Sequence, residues 1–396
     1  MVKQRIQTLS AEEAKQLHYE ALVFDSQAPP PTRSFLFTDN MKIAIDESAA
    51  RGMSRDHALE IASAMVVGEV QTSVQARKAY LDLWERAGVT AASVTCAATS
   101  EMSVAFDDAV ESIANARAIV DALEENLTVI LKGSDIDRAH RDSKHGLIID
   151  FQDTTPFGGN LGRIEFFFNL GLRIVQLTYN LRNLVGDGCL ESYKSGLSYF
   201  GKDVVRRLNE LGIVVDVSHS SEQVGWDALE ISSDPIAITH AFSSSVCYHE
   251  RGKSDELARA IADKGGYFGV LIVPGFLQNK RLVTTLDDFA DHVEHIVNIM
   301  GIDHVGIGSD LTGNIIQFPD EMPAAAEHSG RRHDDFGWSG FREEHRATGE
   351  YQMVGFNNFG DWPNITVKLA ERGFNERELR QLLGLNFLRY FRQVVG

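Results

Sequence analysis

The chain has 396 residues, of which 43% are hydrophobic and 24% charged, and these fractions exclude a predominantly disordered protein. Its 38 Lys and Arg against 56 Asp and Glu give a formal net charge of −18, which disfavours nucleic acids and anionic membranes as partners. The three cysteines, Cys96, Cys189 and Cys247, have no CxxC spacing and predict a reducing, cytoplasmic location without disulfides.

The first part of the chain shows mainly helical patterns. Residues 1–14 are polar and predict no signal peptide, and no apolar run in the chain is long enough to predict a membrane span. Ser10 and Glu13 form a capping-box pattern, which predicts a first helix. A long helical pattern at about 54–87 and another at 106–127 follow it.

Eight apolar runs predict strands, and most are continuous rather than alternating, as expected for parallel strands buried on both faces. They lie at 21–24, 89–96, 147–151, 174–178, 213–217, 236–239, 267–273 and 305–309. Helical patterns separate most of them, and eight strand–helix units predict one α/β domain over 1–396, a (β/α)8 barrel of TIM type. It would carry an N-terminal helical extension and two C-terminal helices. An open doubly wound sheet is the alternative, although no glycine-rich nucleotide-binding turn supports it.

The segment 312–362 interrupts this regular alternation. It is rich in Gly, His, Arg, Asp and Phe and has no sustained periodicity. A loop of this length in a compact domain is usually a functional lid or a disordered insertion. Because it follows the last predicted strand, we expect it over the barrel mouth, where substrates of such barrels bind. An inert insertion is an equally good interpretation.

Polar residues follow six of the predicted strands, at the end of the barrel where active sites lie. They are Asp25 and Gln27, Gln152 and Asp153, Tyr179 and Asn180, Ser218 and His219, His240, and Asp310. His219 and His240 follow consecutive strands, so we expect their imidazoles to share one mouth. Together with a nearby carboxylate they predict a site for zinc or a related divalent cation.

Two further residues have predicted roles at this mouth. Asp310 is either a third ligand or the base that takes a proton from a metal-bound water, although a turn-capping role is also open. Arg251 follows His240 closely and could hold a substrate carboxylate through two hydrogen bonds. The alternative for Arg251 is an ordinary solvated surface charge.

Several segments of the chain resemble the renal (membrane) dipeptidase family of zinc peptidases. The resemblance is carried by LGLRIVQLTYNLRN, GIVVDVSHSS, PIAITHAFSSSVCYHERGKSDE, KGGYFGV and HVGIGSD, and by GLNFLRYF near the C-terminus. It implies an amidohydrolase-like (β/α)8 barrel in which water held between two zinc ions attacks a dipeptide amide, and it implies a homodimer. By the same resemblance His219 and His240 bind the second zinc, Arg251 holds the substrate's C-terminal carboxylate, and Asp310 lies near the metal water.

The chain departs from the family pattern at the first zinc site. Gln27 and Pro29 stand where the family has the His and Asp of an HxD motif, and Gln152 stands at the bridging Glu. Proline has no side-chain donor, and a neutral amide bridges two cations poorly. The sequence therefore predicts one zinc ion rather than two, with Gln152 and Asp25 as additional candidate ligands.

Tyr179 replaces the family's substrate-binding His after strand four. We expect Tyr179 and Asn180 to bind substrate, and Tyr179 to serve as an acid or base as well. The predicted function is a metal-dependent, dipeptidase-like hydrolase that cleaves the amide of a dipeptide or a similar small amino-acid amide. The alternatives are a single-metal barrel enzyme acting on another small carboxylate-bearing molecule, and a non-catalytic relative that binds a ligand or partner.

Overall fold

The eight predicted strands form a parallel barrel. A computed structural model describes residues 9–33, 35–98, 101–281, 283–310, 316, 318–319, 322, 345 and 353–396. Its strands are β1 (Phe24–Ala28), β2 (Ala91–Ala97), β3 (Leu127–Val129), β4 (His145–Phe151), β5 (Leu172–Gln176), β6 (Val214–Asp216), β7 (Ala237–Ala241), β8 (Tyr267–Val270), β9 (Thr284–Thr285), β10 (Val305–Ile307) and β11 (Met353–Val354). Hydrogen bonding orders the barrel β1-β2-β4-β5-β6-β7-β8-β10, with β3 added beside β4. The predicted (β/α)8 fold is confirmed.

Helices follow most barrel strands, as in other barrels of this class. They are α1 (Ala11–Glu20), α2 (Asp39–Ala50), α3 (Arg55–Thr72), α4 (Val74–Ala87), α5 (Ala105–Ala122), α6 (Gly133–Arg141), α7 (Gly162–Asn169), α8 (Tyr199–Leu211), α9 (Glu222–Ile231), α10 (Asp255–Asp263), α11 (Pro274–Leu277), α12 (Leu286–Met300), α13 (Trp362–Glu371), α14 (Glu376–Arg380) and α15 (Asn386–Val394). No helix in the described part of the chain is long and apolar enough to cross a membrane.

The predicted elements differ from the structure in several places. The helix predicted at 54–87 is two helices, because Ser73 ends α3 and its side chain accepts the Ala76 N–H that begins α4. Several elements had no counterpart in the prediction: the helices α2, α6, α11 and α13 and the strands β3, β9 and β11. The irregular segment 312–362 lies mostly outside the described residues, and its last part contains β11 and the start of α13.

The two ends of the barrel interior have different chemistry. At the amino-terminal end α15 closes the barrel, where Phe387 stacks on Phe24 with ring centroids 3.6 Å apart and meets Tyr267 edge-on at 5.2 Å. At the carboxyl-terminal end the strands continue into buried polar residues. The apolar contacts stabilise the closed end, and the open end is left for chemistry.

Glycines allow β8 and β10 to lie close to β7. A Cβ atom on Gly269 would lie 2.0 Å from the Thr239 carbonyl oxygen, and one on Gly308 would lie 2.2 Å from the same atom. Only a residue without a side chain fits at either position. This close approach fixes the end of β7, which carries His240.

Candidate metal centre

Three ligand-type side chains meet at the carboxyl-terminal end of the barrel. His219 follows β6, His240 lies in β7, and Asp310 follows β10; one ligand atom from each lies within 4.8 Å of the others. The two Nε2 atoms are 3.0 Å apart, and His240 Nε2 is 4.0 Å from Asp310 Oδ2. Both imidazoles are buried, whereas the Asp310 side chain is 26% exposed and faces the opening. The structure thus brings the predicted group together.

Hydrogen bonds at the far side of each ring determine which nitrogen faces the centre. His219 Nδ1 lies 2.6 Å from Asn180 Oδ1, an amide oxygen that can only accept. His240 Nδ1 lies 2.8 Å from Thr239 Oγ1, whose own proton is donated to Asp216 Oδ2 at 2.6 Å. Each Nδ1 therefore carries the proton, and each Nε2 presents a lone pair to the centre, as in histidines that bind metals.

The two imidazoles are neutral. Burial lowers the pKa of His219 and of His240 well below 6.5, and the nearby Arg251 cation lowers both further. Two facing lone pairs 3.0 Å apart repel unless a cation or a proton lies between them. Nitrogens bound to one tetrahedral zinc are about 3.3 Å apart, given Zn–N distances of about 2.0–2.1 Å, so the spacing suits a shared ion.

Asp310 has a backbone conformation that is uncommon outside glycine. Its φ is +50°, and its N–H donates to the Gln27 carbonyl at 2.8 Å. Burial raises the pKa of its carboxyl to about 7, while the Arg251 charge acts in the opposite direction. A bound cation would favour the ionised form. Asp310 is thus suited to be a third ligand and, near neutral pH, to accept a proton.

Tyr179 and Asn180 both lie beside His219. The Tyr179 ring stacks on the His219 imidazole with centroids 4.1 Å apart and planes 16° apart, and its N–H donates to Asp153 Oδ2 at 2.9 Å. Tyr179 is partly exposed at the opening. Asn180 is fully buried behind His219, so the structure shows it as a partner of the imidazole. Its predicted contact with substrate is untested.

Two buried cations hold the backbone around the histidines. Arg251 is 1% exposed and donates from Nη1 to Ser218 O at 2.6 Å and from Nη2 to His240 O at 2.7 Å. Lys253, also 1% exposed, donates to Ser220 O at 2.6 Å. A contact between Arg251 and a substrate carboxylate would have to use the remaining N–H groups of the guanidinium. Arg251 is therefore not the solvated surface charge that was its alternative.

The residues at the predicted first metal position bind one another. The side-chain Nε2 of Gln27 donates to Thr95 Oγ1 at 2.7 Å, and the Nε2 of Gln152 donates to the same oxygen at 2.8 Å. Asp25 accepts from Ser309 through both of its oxygens and from Trp362. Asp25, one of the two additional candidate ligands, is not part of the His219–His240–Asp310 group. The amide nitrogen of the other, Gln152, is bonded to Thr95.

The group of His219, His240 and Asp310 suits a divalent ion. Two neutral imidazoles and a carboxylate form a three-ligand set with open positions, as in catalytic zinc sites. At the other position the side chains of Gln27, Gln152 and Thr95 are neutral, and the buried Asp150 is a carboxyl in contact with Gln27 and Thr95.

Sequence reasoning missed the residues that orient the ligands, namely Asp216, Thr239 and Lys253. Asp216 is fully buried and accepts the N–H and hydroxyl of both Ser218 and Thr239. A carboxylate inside the apolar run IVVDVSH was a usable signal, since buried acids require specific partners. Nothing in the local sequence around Thr239 or Lys253 indicated their contacts.

Comparison with known proteins places the chain among metallopeptidases. A family model described as membrane dipeptidase (peptidase family M19) matches residues 12–327. The dipeptidase tcpJ of Claviceps purpurea is 24% identical over 289 residues, covering 72% of this chain and 60% of that protein. An uncharacterized protein in the pqqA 5' region of Klebsiella pneumoniae is 31% identical over 205 residues, covering 50% of this chain and 75% of that protein. The chain thus spans less than two thirds of the length of the fungal dipeptidase.

Solved structures agree with the fold. An amidohydrolase from Pseudomonas aeruginosa superposes with a TM-score of 0.72 at 27% identity, covering 98% of this chain and all of that one. A metallopeptidase from Rhodobacter sphaeroides, solved with a phosphinate mimic of L-Ala-D-Ala, superposes with a TM-score of 0.68 at 16% identity, covering 94% of this chain and 99% of that one. At that identity the second likeness supports the barrel alone.

Proposed function

Because this chain belongs to the membrane dipeptidase family, peptidase family M19, we propose that it is a metal-dependent hydrolase of dipeptides or similar small amino-acid amides. The observation that carries the proposal is the convergence of His219 Nε2, His240 Nε2 and an Asp310 carboxylate oxygen within 4.8 Å of one another. We propose zinc as the ion and one ion per chain, since the side chains of the Gln27–Thr95–Gln152 cluster are neutral and bonded to one another.

The residues around the ion divide the work of hydrolysis. A bound zinc ion supplies a Lewis acid that lowers the pKa of a coordinated water toward neutrality. His219 and His240 would hold the ion through their Nε2 atoms, and Asp310 would hold it or accept a proton from the attacking water. Tyr179, partly exposed beside His219, is in place to donate a proton to the leaving amine.

The buried cations favour a negatively charged substrate. Arg251 and Lys253 lie beneath the histidines and are matched in number by Asp216 and Asp310. Burial raises the pKa of Asp310 to about 7 and also raises the pKa of Asp216, so these carboxyls do not fully offset the two cations, and a bound divalent ion would leave the site positive. A substrate with a free carboxylate is attracted to such a site. We propose that the buried Arg251 contributes to the attraction of the substrate carboxylate.

The metal content of the purified protein tests the proposal first. We expect about one zinc equivalent per chain by elemental analysis, and loss of that zinc in His219→Ala and in His240→Ala. His57→Ala, which changes an exposed histidine, is the control and should keep its zinc. Two equivalents would contradict the single-ion reading, and none after zinc or manganese supplementation would favour the non-catalytic alternative.

A substrate panel tests the reaction itself. We expect the zinc-loaded protein to release amino acids from some members of a set of L,L and L,D dipeptides, measured by chromatography. Neither histidine variant should do so. A zinc-loaded protein that cleaves none of them would favour the alternative of a single-metal enzyme acting on another carboxylate-bearing small molecule.

We also propose a homodimer that works in the cytoplasm. Cys96, Cys189 and Cys247 are all unpaired and buried, which suits a reducing compartment. The dimer rests on the family resemblance. Light scattering should give the mass of two chains, and a monomer mass would contradict the proposal.

A further inference from the structure

The barrel has a seam between its first and last strands. Among the described strands, β1 and β10 share no backbone ladder, although each pairs with its other neighbour. Individual contacts join them: Ser26 Oγ lies 2.9 Å from Ile307 O, and Asp310 N donates to Gln27 O at 2.8 Å. The ligand Asp310 thus projects from the least regularly bonded edge of the barrel.

Asp25 joins several groups at this seam. It is fully buried, and its Oδ1 accepts the Gln27 N–H at 3.1 Å and the Ser309 N–H at 2.8 Å. Its Oδ2 accepts the Ser309 hydroxyl at 2.5 Å and the Trp362 indole N–H at 3.1 Å. Four donors from β1, from the residue before Asp310 and from the start of α13 converge on one carboxyl group.

These contacts act on the residue next to the candidate ligand. Ser309 is held through both its backbone and its side chain, and Asp310 follows it with a φ of +50°. A left-handed conformation at a non-glycine residue costs about 1 kcal/mol and persists only where the surroundings enforce it. The bonds of Asp25 to Ser309, together with the bond from Asp310 N to Gln27 O, are those surroundings.

We propose that Asp25 is a positioning residue that aims the Asp310 carboxylate at the ion held by His219 and His240. The sequence predicted Asp25 as an additional ligand; in this proposal it supports a ligand through Ser309 instead. This proposal rests on the metal site of the proposed function and not on any particular substrate. Outer groups that orient metal ligands typically change metal affinity 10–100-fold when removed.

The proposal can be tested by measuring how the ion is coordinated, without measuring catalysis. The metal-free protein and its Asp25→Asn variant are loaded with Co²⁺, and the visible absorption spectrum and the Co²⁺ dissociation constant are measured. Asp310→Asn defines the spectrum of a site without the carboxylate. We expect Asp25→Asn to bind Co²⁺ about tenfold or more weakly and its spectrum to move toward that of Asp310→Asn.

A matched control separates positioning from general destabilisation. Asp135→Asn changes another buried carboxyl, which accepts the Leu131 and Lys132 N–H groups at the start of α6, and it should leave the spectrum and the dissociation constant unchanged. A folded Asp25→Asn with the wild-type spectrum and affinity would overturn the proposal.

A milder variant keeps the test decisive if Asp25→Asn does not fold. Ser309→Ala removes one of the four donors and keeps the backbone N–H bond, so we expect a smaller shift of the spectrum in the same direction. An unchanged Ser309→Ala spectrum would then overturn the proposal. Failure of the wild-type protein to bind Co²⁺ would overturn the metal site and this inference together, whereas failure to cleave dipeptides would affect only the proposed function.

Discussion

The Nδ1 atoms of the two site histidines each have a fixed acceptor, and this decides which nitrogen is free for an ion. The acceptor for His219 is an amide oxygen, whereas for His240 it is the Thr239 hydroxyl, which is itself held by Asp216. A change at either acceptor should therefore alter metal binding without touching a ligand.

The hydroxyl of Thr239 gives a direct test. Thr239→Val keeps the shape of the side chain but leaves His240 Nδ1–H without its acceptor, so we expect zinc to bind about 10–100-fold more weakly in chelator competition. It also removes a donor from the buried Asp216, at a cost of about 1–3 kcal/mol in the free energy of unfolding. Thr239→Ser keeps the hydroxyl and should bind zinc nearly as well as the wild type. Equal zinc affinity in the valine and serine variants would contradict a role of the Thr239 hydroxyl in orienting His240.

Tyr179 can be tested through its hydroxyl alone. Tyr179→Phe keeps the ring that stacks on His219, so the zinc content should not change. If the phenol transfers a proton, kcat on a cleaved dipeptide should fall by about 10²–10⁴-fold, the usual contribution of an acid or base. Tyr199→Phe changes a tyrosine that is 89% exposed and should leave kcat unaltered. A Tyr179→Phe enzyme with wild-type kcat would remove the acid–base role.

At the scale of single residues, the sequence predicted which candidate ligands come together better than it predicted the residues that support them. His219, His240 and Asp310 could be found because each follows an apolar strand, and the fold sends such residues to one end. The contacts of Asp25 could not be found, because the Ser309 and Trp362 groups that bind it are 284 and 337 residues away in the chain. Only closure of the barrel brings them together.

Among the elements, α1 is tied to the barrel wall through a buried histidine. His18 lies between Thr366 Oγ1 of α13, at 2.7 Å from Nδ1, and the Ala87 carbonyl at the end of α4, at 2.7 Å from Nε2. Burial lowers the pKa of His18 to about 4. The ring is therefore neutral in the folded protein, and it links three helices that are distant in the chain.

This lowered pKa predicts a loss of stability in acid. The unfolded chain binds a proton at His18 below about pH 6.5, whereas the folded chain resists protonation to about pH 4. The contribution of His18 is therefore complete above pH 6.5 and is lost as pH falls toward 4, by up to about 3 kcal/mol. Urea unfolding from pH 7 to pH 4 should show a shallower decline for His18→Gln than for the wild type. The exposed His140→Gln should follow the wild type, and identical slopes in all three proteins would contradict the assignment.

The sequence predicted whether a segment is a helix or a strand better than it predicted where each element begins and ends. All eight barrel strands were predicted because continuous apolar runs mark strands buried on both faces. The first was placed too early, since β1 runs through Asp25, Ser26 and Gln27, whose burial depends on partners outside the strand. The split between α3 and α4 was missed because the apolar pattern continues past Ser73, whose capping bond alone breaks it.

Across the whole molecule, the closeness of the strands couples the stability of the barrel to the metal centre. On Gly308 a Cβ atom would also lie 3.1 Å from His240 Cβ, besides its overlap with the Thr239 carbonyl. Gly308→Ala would therefore push β7 outward together with its ligand. We expect a loss of about 1–3 kcal/mol in the free energy of unfolding, as for other overpacked cores, together with weaker zinc binding.

The control for this variant is Gly159→Ala, because no atom lies within 4 Å of a Cβ at Gly159. It should leave both the urea midpoint and the zinc affinity at their wild-type values. A Gly308→Ala protein that is as stable as Gly159→Ala would show that β7 and β10 can separate at no cost. In that case the glycine would not be what fixes the position of His240.

The buried cysteine thiols can be used to measure local opening of the folded chain. Cys96, Cys189 and Cys247 are each at most 6% exposed, and Cys189 Sγ lies 3.4 Å from Asn180 Oδ1 directly behind His219. An alkylating reagent reaches such a sulfur only during transient openings of its surroundings. The labelling rate at Cys189 therefore measures how often the surroundings of the histidines open. A slower rate with zinc present would show that zinc binds at the histidines and reduces this opening.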